Sequence, residues 1–590
     1  MKKIINRSAL FYLMVVLFLF ICEVSFSQVK EFTGKNITQP ASNYLGKYLK
    51  KYSVYKLDLN EIAAYTKSHS QKAQFDLNFS SEHFKLEIEL NEIRAGNFKA
   101  VAMTDQGPRE LVQPFTNTYK GFENNDRSNI VRLNIDDSTF EGYIKIGKKW
   151  LYFDKLKRYL PNESNDKIVV YDGADVIPDP TKKCGAEIIA AEKKKFNPNI
   201  DYNDFALTGN CHFVEIATEA DFEYYQAFSS NASDALNRIR NILNLVEGLY
   251  TPSYNVKFIL RYQQIWTTSI DPYSGETLEV ILPQFTNWWN ANRTSISRDV
   301  THFFTGRTVT NSTIGYAYVG VVCNTSSYYS CVVNYSPVTN STIALSAHEL
   351  GHNFGANHDA TCNGNNIMCP NIQSGIPQWS SQSLTEVSNY ITSSGSCMTE
   401  SFPANVTYFG NGAGVGYLKI IASNNITINS SSGAVQLSTA GYGYIEAGAS
   451  IVLTPTNANS LGFLAPQGSS LLMRISDVIN TCDPLIANSV NSTLNSSSQY
   501  NNPITKDIDV QILPNPFSSY FQLTVNLKED KKVLLIIYNS LGIKVKEKMG
   551  INLLKGFNKV TFDGANLSKG VYLLEINFGN AKTVKKIVKI

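Results

Sequence analysis

Apolar and polar positions alternate with period two through much of the first third of the chain. The run FKLEIELNEI (84–93) changes side at every residue, and NIVRLNIDDSTFEGYIKIGKKWLYFDKL (129–156) reads as strands broken at Asp136-Asp137-Ser138 and at Gly147-Lys148-Lys149; strand side chains point to opposite faces in turn. Residues 28–195 are thus expected to form a strand-rich unit. From about residue 202 the pattern changes. HFVEIATEADFEYYQAF (212–228) reads as a strand leading into a helix, ASDALNRIRNILNLVEGLYT (232–251) carries apolar residues at helical three-and-four spacing, and YNVKFILRYQQIWT (254–267) is a strand. A further helix is expected over RDVTHFFTG (298–306) and a strand of small and β-branched residues over GYAYVGVVC (315–323). Such alternation implies an α/β domain over 202–400, with helices packed on a mostly parallel sheet. Beyond it, 405–485 holds short strands separated by Gly, Ser and Asn, the pattern of an all-β module or a few solenoid-like rungs, and a spacer is its simplest role. A polar linker (486–506) precedes 507–590, where alternating strands with Gly and Asn turns predict a small β-sandwich.

Composition narrows the class. A chain of 590 residues is too long for one core. A net charge of +3 with 17% charged residues gives no footprint for nucleic acid. At the start, Lys2, Lys3 and Arg7 precede an apolar run from Ala9 to Ile21, and Ser25-Phe26-Ser27 follows. This reads as an export signal over 1–27, too short for a membrane span, and no other stretch approaches one. Bulky Phe20 and Ile21 before Cys22 argue against lipidation. Nine cysteines fit an exported protein. Cys22 leaves with the signal, Cys184 stands alone, six (Cys211, Cys323, Cys331, Cys362, Cys369, Cys397) fall within 202–400, and Cys482 lies beyond. The many Asn-x-Ser/Thr triplets reflect an Asn/Ser-rich composition rather than glycan sites.

The chemistry concentrates in HELGHNFGANHD (348–359). His348 and His352 are four apart, so on a helix they share one face and can hold one metal ion. Polar cap candidates and then helix formers precede them from Asn340 onward. Glu349 adjoins the first ligand, where its carboxylate can take a proton from metal-bound water. Gly355 tolerates the positive φ that a sharp turn needs to bring His358 back as third ligand. Three protein nitrogens leave a fourth tetrahedral position open, the mark of a catalytic zinc. Cys184, in Lys182-Lys183-Cys184-Gly185, offers a soft thiolate that could fill that position from a tether, with flanking lysines favouring the ionised form. The exposed-looking stretch Glu192–Asn199 is where cutting would release the preceding segment. His302 and His212 lack ligand spacing and read as structural.

The extended motif, with Met368 in the following NIMCP segment, resembles the metzincin zinc endopeptidases, and Asp359 after the third histidine resembles their adamalysin/reprolysin (ADAM-like, M12B) branch. The resemblance implies a metzincin fold, with Met368 in a turn beneath the metal. It also implies that Ile314, Gly315, Tyr316 and Ala317 lie on an antiparallel edge strand where extended polypeptide substrates add as a strand. Part of the selectivity pocket would come from residues after His358. Residues 28–195 resemble an ADAM-type prodomain, and Cys184-Gly185 the cysteine switch of a metzincin zymogen. A structural calcium site on the Glu215 and Asp299 carboxylates and the main-chain carbonyl of Cys397, with Glu400 where the family has asparagine, is also implied. So are disulfides Cys323–Cys397 and Cys362–Cys369, which leave Cys211 and Cys331 to each other. In 507–590, Pro514-Asn515-Pro516, Gly570-Val571-Tyr572-Leu573 and a basic last strand resemble the C-terminal sorting domain of the type IX secretion system of Gram-negative bacteria. That implies handling by the type IX machinery and a product secreted or attached to the cell surface. The expected function is a secreted zinc metalloendopeptidase made as a zymogen, with Glu349 as general base. The alternatives are a non-catalytic adhesin on a protease scaffold, whose mark would be a missing ligand or glutamate, and a zinc amidase on non-protein substrates, which would lack the edge-strand cleft.

Overall fold

In a computed structural model the chain divides into two units, residues 1–493 and 494–590. The structure describes most of residues 29–187 and 211–398, and the strands of 405–475 and 510–589. The expected signal, the 192–199 cleavage stretch, Glu400 and the 486–506 linker lie outside the described residues.

The early alternating runs close into a barrel of nine strands between Lys30 and Asp172. Each contributes one buried face, as in Ala73–Phe79, where Ala73, Phe75, Leu77 and Phe79 point inward. The Asp136-Asp137-Ser138 break is a turn in which Asp136 Oδ1 accepts from Ser138 N at 2.8 Å. The barrel is closed by parallel pairing of Lys30–Asn36 with Ala73–Phe79.

An eight-stranded sheet contains strands that the sequence pattern assigned elsewhere. Its strands are β1 (Arg94–Thr104), β2 (Gly107–Glu110), β3 (Lys183–Glu187), β4 (His212–Ala220), β5 (Val256–Trp266), β6 (Val300–Thr305), β7 (Thr313–Tyr318) and β8 (Tyr329–Val333). They lie in the order β3-β7-β8-β6-β4-β5-β1-β2. Pairing is parallel from β8 through β6, β4 and β5 to β1, and antiparallel for β7 on β8. The α/β expectation holds for 202–400. Both outer edges, however, come from before residue 195: the β1–β2 hairpin on one side and β3 on the other.

One local expectation is corrected. Residues 298–306 are not a helix; Val300–Thr305 forms β6, with all six residues buried between β4 and β8. A strand covered on both faces loses its alternation, and β-branched and aromatic residues suit it.

Helices α1 (Ala232–Tyr254), α2 (Leu278–Asn292), α3 (Thr339–Asn353) and α4 (Ser381–Ser394) belong to the same domain. The barrel docks on α1 through buried polar groups. Arg132 pairs with Glu247 at 3.1 Å, Arg238 with Glu141 at 3.0 Å, and Asn91 Nδ2 donates to Glu247 and to Asn244 at 2.9 Å each.

Residues 405–475 coil in parallel. Asn405–Phe409, Asn425–Asn429 and Ser450–Thr454 stack in register as one sheet, while Gly414–Ala422, Val435–Ala447 and Ser470–Ile475 stack as another. This is the rung arrangement of a solenoid. In the second unit, two antiparallel sheets share one apolar core that includes Phe521, Leu523, Leu535, Ile537, Leu574 and Ile587.

Candidate active site

Helix α3 ends where the motif needs it to. His348 and His352 stand on one face of its last turns, and Gly355 at φ +85° reverses the chain so that His358 returns to them. The three Nε2 atoms converge: His348 to His352 3.1 Å, His352 to His358 3.2 Å, His348 to His358 3.3 Å. His348 Nδ1 lies 2.5 Å from the Ile367 carbonyl and His352 Nδ1 2.7 Å from that of Ala356. A carbonyl can only accept, so both rings carry their proton on Nδ1 and turn a bare Nε2 lone pair to the common point. Burial holds His348 well below the ordinary imidazole range and His352 down to about 3, the neighbouring rings adding to the effect. Three neutral imidazoles aimed at one point are a donor set suited to zinc.

Glu349 is fully buried beside them, and burial raises its carboxyl well above the usual range. Among the described residues its Oε1 has no hydrogen-bond partner, while Oε2 accepts from the Cys184 thiol at 3.3 Å. Met368 is buried beneath the helix, its Sδ 2.6 Å from where a β-carbon on Gly351 would stand. The same turn accepts Asp359 N at the Met368 carbonyl, 2.9 Å. Asp359 Oδ1 in turn accepts from Ser380 Oγ at 2.5 Å and Ser383 Oγ at 2.9 Å, fastening the start of α4.

With this geometry in view, residues 212–409 match the family described as metallo-peptidase family M12, reprolysin type. Over these residues the chain is similar to M12 metallopeptidase domains. Residues 511–590 match the secretion system C-terminal sorting domain, which marks the chain for type IX export to the cell surface or beyond it. The disintegrin and metalloproteinase domain-containing protein adm-2 of Caenorhabditis elegans is 30% identical over 181 residues, 29% of this chain and 18% of the relative's length. The chain therefore spans under a fifth of that relative. Metalloproteinase-II of Bacteroides fragilis aligns over 54% of this chain and 91% of its own, at 14% identity and a TM-score of 0.34. Among the described residues no helix is long and apolar enough to cross a membrane.

Ile314, Gly315, Tyr316 and Ala317 all lie on β7. Gly315 faces Glu349: a β-carbon there would stand 2.0 Å from Glu349 Oε1. The strand is not free, because β3 runs parallel to it with Cys184 opposite Gly315 and Glu187 opposite Tyr318. On its other side Cys184 N donates to the Pro370 carbonyl at 2.9 Å, and Lys183 bridges to Asn371. The arm is thus threaded between β7 and the segment after Met368, with the Cys184 sulfur in one cluster with the three histidine nitrogens. Burial, then the Glu349 charge, pushes Cys184 well above the ordinary thiol range, and Lys183 is exposed.

The calcium expectation is not supported. Glu215 and Asp299 do lie together, with Glu215 N donating to Asp299 Oδ2 at 2.8 Å. But the Glu215 carboxylate is taken by the Arg261 guanidinium and by Ser297 Oγ at 2.7 Å, so a fixed cation already occupies it. Cys397 is joined to Cys323. The Cys362–Cys369 disulfide also forms. Cys211 and Cys331 are not partners: Cys331 is a free buried thiol, while Cys211 is disulfide-bonded. His302 is a core residue with Nδ1 2.8 Å from Ser330 Oγ, and His212 opens β4 away from the cluster.

Proposed function

We propose that this chain is a secreted zinc-dependent endopeptidase that hydrolyses extended polypeptides and is made as a zymogen. The observation that carries the reading is the meeting of three bare imidazole nitrogens and a buried, half-satisfied carboxylate under a sheet edge that accepts an added strand. His348, His352 and His358 would hold zinc, with Cys184 as a fourth ligand while the arm is in place. Zinc, when bound, supplies a Lewis acid that acidifies a water and polarises the scissile carbonyl.

The residues divide the remaining work. A substrate takes the place of Lys183–Glu187 and pairs its main chain with β7, which recognises extended backbone rather than sequence. Glu349 takes the proton of the attacking water as oxygen bonds to the carbonyl carbon. It then delivers that proton to the amine nitrogen as the C–N bond breaks.

The test is incubation of processed protein with a mixture of protein substrates, with and without a chelator, beside Glu349→Gln. Wild type should cleave and lose activity on chelation. The variant should bind one zinc per chain by elemental analysis yet fall by roughly 10²–10⁴-fold in rate. Cleavage that survives in the variant removes Glu349 from the mechanism.

A further inference from the structure

The catalytic sheet is built from both sides of the connection at 188–210. Strand β5 pairs with β4 on one side and with β1 on the other, Tyr262–Trp266 lying opposite Lys99–Met103. The contact continues past the strands, with Leu260 N donating to the Ile93 carbonyl at 2.7 Å and Thr267 N to that of Met103 at 2.9 Å. Phe98, Ala100 and Ala102 of β1 belong to the same apolar core as Phe258, Tyr262 and Trp266.

The charges along β5 are distributed unevenly. Its first half carries Lys257 and Arg261; its second half, Tyr262-Gln263-Gln264-Ile265-Trp266, carries none, and that is the half β1 covers. Exposed strand edges are ordinarily guarded by charge, proline or a bulge, because bare ones pair with other chains. The second half of β5 has no such guard of its own.

The downstream coil grips the same hairpin from the other side. The Arg94 guanidinium lies 4.6 Å over the Tyr417 ring, the Tyr417 and Phe98 rings meet edge-on at 6.0 Å, and Tyr444 is buried in the barrel's own core. Arg94 and Phe98 lie before the 188–210 connection, and Tyr417 and Tyr444 after it. By contrast, the attachment of the switch arm is slight. Five consecutive residues, 177–181, are exposed between the barrel and the arm, and the arm itself is the five-residue strand β3.

We propose that, after the connection is cut, the body of the prosegment stays on the enzyme as a second, non-covalent chain that completes the catalytic sheet. Only the arm around Cys184 moves. The surface it binds is the uncharged half of β5 together with the Tyr417 and Tyr444 face of the coil. The arm's part in this rests on the zymogen reading above. The barrel is then a lasting subunit of the active protease, and residues 405–475 are its clamp rather than a spacer.

The experiment uses the full chain, zinc-loaded, with recognition sites for a sequence-specific protease placed in 188–210 and in 177–181. After both cuts, size exclusion at micromolar concentration should show the arm peptide lost, the body and the enzyme co-eluting one to one, and peptide hydrolysis in that peak. A body that elutes apart from the enzyme overturns the proposal. Two substitutions probe the interface: Ala102→Glu should free the body after cutting, and Tyr417→Ala should raise its dissociation constant at least tenfold. If Ala102→Glu does not fold, Tyr417→Ala still decides, since unchanged retention would remove the coil from the interface. Co-elution without hydrolysis in any form would count against the peptidase reading and leave the interface standing; hydrolysis by enzyme that has shed the body would do the reverse.

Discussion

Glu219 is a fully buried carboxylate that accepts from the indole nitrogens of Trp266 and Trp289 and the hydroxyl of Tyr273. Burial outweighs those bonds and pushes it up to about 7. A carboxyl whose folded value lies above its ordinary one binds its proton more tightly when folded. Its contribution to stability is whole below about 4.5 and is lost as pH rises through about 7. Asp221 and Asp299, also raised to about 7 by burial, act in the same sense. His302, lowered to about 3, acts oppositely, its contribution fading as pH falls below 6.5. Between pH 5 and 8 these carboxyls are opposed by the lowered imidazoles of His212, His302, His348, His352 and His358. Removing one carboxyl should shift the balance: Glu219→Gln should make the melting temperature fall less, or rise more, from pH 5 to pH 8 than in the wild-type chain. Gly315 makes a second prediction: Gly315→Ala pushes a methyl into Glu349 and should cost at least ~100-fold in rate, with the zinc content unchanged. The clustering of His348, His352 and His358 beside Glu349 was legible in sequence because helical periodicity and one turn bring these residues together within an eleven-residue stretch. The need for glycine at 315 was not, since it arises from a side chain 34 positions away. The calcium expectation failed similarly: Arg261, which neutralises Glu215, is on the neighbouring strand.

At the scale of elements, the zinc-motif helix depends on a group outside its own domain. No side chain at Val338, the residue preceding α3, caps it. Asp154 of the barrel does so instead, Oδ2 accepting from Thr339 N at 3.1 Å while also holding Tyr159 Oη at 2.6 Å and Tyr171 Oη at 3.0 Å. Asp154→Ala removes a cap and a buried counter-charge to Arg158 and Arg238. It should lower the unfolding free energy of the uncut chain by about 3 kcal/mol in urea titration. From sequence, Asn340 and its neighbours were reasonable caps; in the fold Asn340 is turned to Gly375, donating to its carbonyl at 2.6 Å. Strongly periodic elements such as α1 and the hairpin strands of the barrel were legible. A run buried on both faces, such as 300–305, was not, because period two disappears when nothing faces water. Helix α2 escaped notice for a different reason: Pro283 inside it reads as a breaker.

For the whole molecule, the sorting tail and the enzyme make separable predictions. Deleting 511–590 should leave the protein inside the cell envelope on fractionation and immunoblotting, whereas the full chain should reach the surface or the medium. The order of modules could be followed along the sequence through changes in hydrophobic period. The exchange of strands between them could not, since nothing in the residues of β1 (Arg94–Thr104) points to β5 as its neighbour. That exchange sets a timetable. Roughly 160 residues separate Lys99 from its partner Tyr262; at about 5–20 residues per second of synthesis the hairpin waits on the order of 10–30 s for the strand it will join. For that interval only β2 pairs with β1; the edge that will meet β5 stands open, and the cell must hold a half-finished sheet out of reach of its neighbours.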